Sequence, residues 1–240
     1  MGVNFPVSEP LRGSRQVVPR PPGWQSGDAA PWDAVDPGAL QGITLTQVRA
    51  VLRISRPAVD AFEGFPDSGV PAAVLVPLFE ENGEVRVVLT RRAAHLRAHQ
   101  GEVSFPGGRI DEGEDVAGAA LREASEEVGI EQADVELLGA LTRLRTWSSA
   151  TNITPLVGAL VGRPRLSPNP SEVEWAFDVA LADLVVPGVY RQERWSVPDR
   201  PFPGSPDGSF PVSFFELPDD TVWGATARIL VELLTLVLRL

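Results

Sequence analysis

Two β-rich runs, Ala72–Phe79 and Val85–Thr90, are joined by Glu81-Asn82-Gly83-Glu84. Asn-Gly readily takes the positive φ angles of a two-residue hairpin turn, so this stretch commits the chain to an antiparallel strand pair. A helix is expected next over Asp115–Val128, with Gly129 placed to end it. Strand-like runs follow at Val135–Leu144, Ile153–Val161, Val173–Val179, Val189–Val197 and Phe210–Leu217, before a terminal helix from Gly224. Strands and helices interleaved with hairpins give an α/β (α+β) fold on a mixed sheet, not a regularly alternating parallel one.

At 240 residues the chain can bury a full hydrophobic core without staples, in one or two domains. Residues 1–40 hold seven of the 23 prolines and few aliphatics, so they read as an arm. Trp24 and Trp32 are its expected anchors onto the domain surface. Residues 41–68 read as a short helix and linker. Thr44 caps a helix whose Leu45, Val48, Val51 and Leu52 recur at helical spacing and which stops near Ser55, ahead of Pro57. Residues 69–240 are expected to form the main domain.

Composition removes several chemistries. The chain has no cysteine, which excludes a disulfide framework, a thiolate nucleophile and a Cys-ligated metal. It also has no lysine, so every cation is Arg and neither a Schiff base nor a P-loop lysine is available. A net charge of −11 makes nucleic acid and anionic membrane poor partners. The apolar stretch from Gly224 to Leu240 is short and carries Arg228, Glu232 and Arg239, so a buried helix is expected there, not a membrane span. Pro6, Glu9, Pro10 and Arg12 interrupt any secretory signal, and a cytoplasmic location is expected.

The acids carry the chemistry. Glu123, Glu126 and Glu127 stand at i, i+3 and i+4 and fall along one helical stripe. Like charges so placed repel, and a bound divalent cation compensates them naturally, because hard metals take oxygen ligands. Arg122 can hold a carboxylate in place by a bidentate contact. Upstream, Phe105-Pro106-Gly107-Gly108 supplies a tight turn whose backbone approaches metal or phosphate closely. The competing reading, from these residues alone, is a solvated helix face.

Read forward, Gly108, five residues, Glu114, seven residues and then Arg122-Glu123-Ala124-x-Glu126-Glu127-x-Gly129-Ile130 resemble the Nudix box at every fixed position. The resemblance implies a Mg²⁺- or Mn²⁺-dependent hydrolase of a nucleoside diphosphate linked to another moiety. It also implies a mixed sheet sandwiched between helices, with the box forming a loop–helix–loop. By the same resemblance Glu123 and Glu127 match the main metal-binding glutamates and Glu126 an additional one, and the Gly107 carbonyl matches a backbone ligand. Arg122 matches the arginine that orients a box carboxylate, and Glu114 a supporting acid beside Gly108. Glu123 is the expected base.

A second stretch narrows the substrate. Leu89-Thr90-Arg91-Arg92-Ala93 and Leu96-Arg97-Ala98-His99-Gln100-Gly101-Glu102-Val103-Ser104-Phe105-Pro106-Gly107-Gly108 resemble the extended signature of the coenzyme A pyrophosphohydrolase branch of that family. Pro168–Val173 and Trp223–Leu230 also look like that branch. The resemblance implies hydrolysis of coenzyme A, or its acyl form, to 3′,5′-ADP and 4′-phosphopantetheine, with a small-molecule nucleotide as partner; a homodimer is compatible with it. Five arginines (86, 91, 92, 97 and 109) against Glu102 give a local +4, suited to a polyanion. Arg91, Arg92, Arg97, His99 and Arg109 are therefore the expected substrate contacts. Glu172 is a further acid, either a late ligand or base or a plain loop acid. The alternatives are a Nudix pyrophosphatase for another nucleotide derivative, such as ADP-ribose or a dinucleotide, and a non-catalytic nucleotide-binding module.

Overall fold

The structure is a computed structural model and describes residues 18, 20–35, 42–54, 69–96, 99–146, 150–196, 205 and 207–238. In chain order its elements are β1 (Gln25–Ser26), α1 (Leu45–Ile54), β2 (Val70–Glu81), β3 (Glu84–Arg92), β4 (Val103–Ser104), β5 (Gly107–Arg109) and α2 (Val116–Val128). There follow β6 (Val135–Ala140), β7 (Leu144–Arg145), β8 (Thr151–Leu160), β9 (Val173–Ala180), α3 (Leu181–Leu184), β10 (Tyr190–Trp195), β11 (Phe210–Glu216), β12 (Thr221–Trp223) and α4 (Gly224–Leu238).

The expected hairpin is present. Asn82 and Gly83 have φ of 53° and 79°, and Glu81 pairs with Glu84 across the turn. β2 is the axis of the larger sheet. Its distal end pairs antiparallel with β3, its proximal end with β5, and its other edge runs parallel to β8 from Val70–Thr151 to Leu78–Ala159. β6 and β7 add antiparallel to β8, and β4 and β9 to β3. The sheet is mixed, as the interleaving of elements implied. A smaller antiparallel sheet runs β1-β10-β11-β12.

Alternation along β2 and β3 sorts the core into two layers. Ala73, Leu75, Phe79 and Val88 pack beneath Ala119, Ala120, Ala124 and Val128 of α2. Val76, Leu78, Val87 and Leu89 face the other way, into a core shared with α1, α4 and the smaller sheet. Thr44 caps α1 as expected: its Oγ1 accepts the Gln47 N–H at 3.2 Å while Gln47 Oε1 accepts the Thr44 N–H at 2.8 Å. Trp32 is 4% exposed and stacks on Phe215, the centroids 6.1 Å apart, so it belongs to this core and not to the surface. Trp24 remains exposed, under the Arg20 guanidinium. Among the described residues no helix is long and apolar enough to cross a membrane.

Candidate active site

Helix α2 is fixed at both ends. The Asp115 carboxylate accepts the Gly118 N–H at 2.7 Å, and Gly129, at φ 73°, turns the chain out while donating to the carbonyls of Ala124 and Ser125. The alanines on its inner face let it sit close to β2 and β5. Glu123 and Glu127 therefore face the Gly107-Gly108 strand. A side chain at Gly108 would fall on the Glu123 carboxylate, and one at Gly107 on the backbone of Ala73 and Val74. Close approach of the backbone requires Gly107, while Gly108 leaves the space that the Glu123 carboxylate occupies. The Gly107 N–H donates to Glu127 Oε2 at 3.2 Å.

A third acid arrives from the other side. The Ser167 and Asn169 N–H groups donate to the carbonyls of Val128 and Glu127, at 2.9 and 2.8 Å, which seats the turn before β9 on the end of α2. The Asn169 side chain accepts from Ser171, and the Glu172 N–H donates to the Asn169 carbonyl at 3.0 Å. Ala93, just past β3, donates its N–H to the Glu172 carbonyl at 2.8 Å. Glu123, Glu127 and Glu172 thus place carboxylate oxygens within 4.8 Å of one another. Glu172 stands with the box acids. Its position is set by an Asn-Pro-Ser turn, whose spacing carries no metal signature that would have ranked it above a loop acid.

Arg122 organises the outer side of the cluster. It grips Glu114 through Nε (2.9 Å) and Nη2 (3.0 Å), reaches Glu123 at 3.0 Å and Glu126 at 3.2 Å, and donates to the Arg109 carbonyl at 3.2 Å. The Arg122 bond, with the Asp111 N–H, holds the Glu114 carboxyl below its ordinary range. Glu126, more than half exposed, is tied to Arg122 and lies outside the three-carboxylate group. The structure thus brings Glu172, not Glu126, to Glu123 and Glu127.

Burial sets the electrostatics. Glu127, 3% exposed, is pushed up to about 8, mainly by desolvation and further by Glu123 and Glu172, against the Gly107 N–H and Arg92. Burial also raises Glu123, against the opposing effect of Arg122. Three hard oxygen donors, two of them disfavoured as bare anions, fit a divalent cation. Arg92 faces Glu127, Nη1 to Oε1 at 4.0 Å, and its Nε is buried without a partner.

The remaining cations are distributed otherwise. Arg91 is buried and paired with Asp220, its Nη2 also donating to the Asp219 carbonyl at 3.1 Å, so the structure does not bring it to the three-carboxylate group. Alternation explains this: Arg92 points to the α2 side and Arg91 to the opposite face. Arg86 is paired with Asp178 and Glu84, so much of the local +4 is neutralised across the sheet. His99, at φ 57°, bonds Glu102 at 2.8 Å within its loop, and that bond raises its pKa. Arg109 has an exposed side chain. Arg97 lies outside the described residues.

The NUDIX domain family model matches residues 69–195, more than half of the chain, and spans this constellation. The chain belongs to the Nudix family. It is 38% identical over 122 residues to Nudix hydrolase 3 of Caenorhabditis elegans, covering 50% of this chain and 51% of that protein. It is 35% identical over 168 residues to the uncharacterized Nudix hydrolase NudL of Photorhabdus laumondii, covering 70% and 84%. The chain thus spans about half the length of the nematode relative and most of the bacterial one. A MutT/nudix family protein from Enterococcus faecalis superposes with a TM-score of 0.47 at 16% identity, over 86% of this chain and 73% of that one. In this Nudix chain the box forms β5, the following loop and α2, while Glu172 comes from outside it.

Proposed function

We propose that the chain is a divalent-metal-dependent pyrophosphohydrolase acting on coenzyme A and its acyl derivatives, releasing 3′,5′-ADP and the 4′-phosphopantetheine half. The observation that carries the hydrolytic part is the convergence of Glu123, Glu127 and Glu172 beside the Gly107 N–H and Arg92. Those three carboxylates would hold the cation. When bound, it supplies charge neutralisation at the phosphoryl oxygens and lowers the pKa of water.

The chain's own groups do the rest. Glu127, buried and anchored on Gly107, would be a fixed ligand. Glu123, steadied on one oxygen by Arg122, accepts the proton of the water attacking phosphorus in line. Arg92, whose side chain keeps 29% exposure and has an unpartnered Nε, donates to a phosphoryl oxygen as charge develops. Glu114 holds Arg122 so that Glu123 keeps one orientation.

The substrate assignment is supported by the coenzyme A-like signature. Its Leu89–Gly108 stretch contributes Arg92, the Ala93 N–H that holds Glu172, and the Gly107-Gly108 strand. A substrate panel in Mg²⁺ or Mn²⁺, with products identified by mass, tests it. Coenzyme A is expected to give 3′,5′-ADP and 4′-phosphopantetheine with a specificity constant at least about 10-fold above that for ADP-ribose. Equal cleavage of ADP-ribose would overturn the substrate assignment and leave the pyrophosphatase one standing.

A further inference from the structure

Arg91 and Asp220 form an ion pair whose side chains are only 6% and 5% exposed. Asp220 lies in the turn between β11 and β12, beyond the residues the family model matches. Its partner sits at an irregularity: the β3–β9 register shifts between Arg91 and Arg92, where Arg91 opposes Trp175 and Arg92 opposes Val173. The extra residue is Glu174 of β9, two places after Glu172, while β3 keeps its alternation through Arg92. Opposite this bulge, Arg92 reaches toward Glu127 at 4.0 Å and the Ala93 N–H holds the Glu172 carbonyl at 2.8 Å. The same residues also seat β4, through the Arg92 N–H on the Glu102 carbonyl at 3.0 Å. That strand leads into Phe105, Pro106 and Gly107, and so to the N–H on Glu127.

Cohesion alone does not call for a buried ion pair here. Well-packed apolar side chains of similar volume would join β3 to the β11–β12 turn at least as stably, because both charges are removed from water. What the pair adds is direction. One guanidinium is fixed by a carboxylate and a carbonyl on consecutive residues, Asp219 and Asp220, which pins the backbone of Arg91 opposite the bulge. We propose that Asp220 is a positioning residue of the carboxylate cluster: through Arg91 it fixes the end of β3 from which Arg92 reaches toward Glu127 and from which the Ala93 N–H keeps Glu172 within reach of Glu123 and Glu127. This rests on the reading of that cluster as the metal site of a pyrophosphatase.

The test uses the full chain and Mn²⁺ itself, followed by electron paramagnetic resonance titration, beside steady-state kinetics and thermal unfolding. Asp220→Asn is expected to weaken Mn²⁺ binding about 10-fold and to lower kcat by a similar factor with KM little changed, as loss of support behind a metal ligand does. The double variant Arg91→Met with Asp220→Leu refills the space without charge. It is expected to regain thermal stability but not Mn²⁺ affinity or kcat, and it decides the matter if the single variant does not fold. Wild-type Mn²⁺ affinity and kcat in a folded single variant, or their full recovery in the double variant, would show that the pair only joins the two sheets and would overturn the proposal. A wild-type chain that binds no Mn²⁺ overturns the metal-site reading, and this proposal with it.

Discussion

The backbone N–H of Gly107 and the carboxylate of Glu127 meet at 3.2 Å, the helix supplying the acid and the strand the donor. That single bond does not offset the burial of Glu127, whose pKa is pushed up to about 8. Between the ordinary value of 4.5 and about 8, the folded chain keeps a proton that the unfolded chain releases. Folding stability of the metal-free protein therefore falls as pH rises through that window. Urea midpoints in EDTA are expected to drop from pH 5 to pH 8, and the drop to shrink in Mg²⁺. In Glu127→Gln this part of the slope should vanish, together with nearly all turnover, while the fold is kept. An unchanged slope in that variant would count against Glu127 as its source.

The sequence made the box legible for a reason that the geometry now explains. Gly108 and Glu123 are spaced so that one vacates the space the other fills, and the Asp115 and Gly129 caps fix how far the helix runs. The Asn82-Gly83 hairpin was legible in the same way, because its turn demands particular residues. The short strands β4, β5 and β12 were not. Gly107-Gly108-Arg109 has no strand preference of its own and is a strand only because Ala72–Val74 lies beside it. Ion-pair partners far along the chain, such as Asp178 for Arg86 and Asp220 for Arg91, were invisible for the same reason, so a basic stretch looked freer than it is.

Gly108→Ala should separate folding from chemistry. The added methyl meets the far end of the Glu123 side chain, which can swing away, so thermal stability is expected to change little. Swinging away takes that carboxylate out of the three-acid group. A loss of kcat of roughly 100-fold or more is expected, with circular dichroism unchanged, on the scale of removing a metal ligand or positioned base. Normal turnover in this variant would remove Glu123 from the mechanism.

Glu172→Gln and Glu126→Gln should differ sharply. Glu172 shares the group with Glu123 and Glu127, whereas Glu126 is an exposed partner of Arg122. Calorimetric Mn²⁺ titration is expected to show a loss of at least about 10-fold for Glu172→Gln and less than about 3-fold for Glu126→Gln. The reverse order would move the third ligand back onto the helix stripe.

Trp32 gives a prediction away from the site. Its ring stacks on Phe215 and meets Tyr190 edge-on at 5.1 Å, while Gln25 and Ser26 pair with β10 and Arg20 bonds Glu193 at 2.5 Å. These contacts belong to the smaller sheet and do not reach the carboxylates. Trp32→Ala removes a large buried ring and should lower unfolding free energy by about 3–5 kcal/mol, read from urea denaturation. Assayed well below its melting temperature, the variant should keep kcat within about 2-fold, since α2, β5 and the turn before β9 keep their own bonds. A loss of stability under about 1 kcal/mol would mean that the ring does not pack into this core. A large loss of kcat in a folded variant would instead tie the smaller sheet to catalysis, along the route from Phe215 through the β11–β12 turn to Asp220 and Arg91.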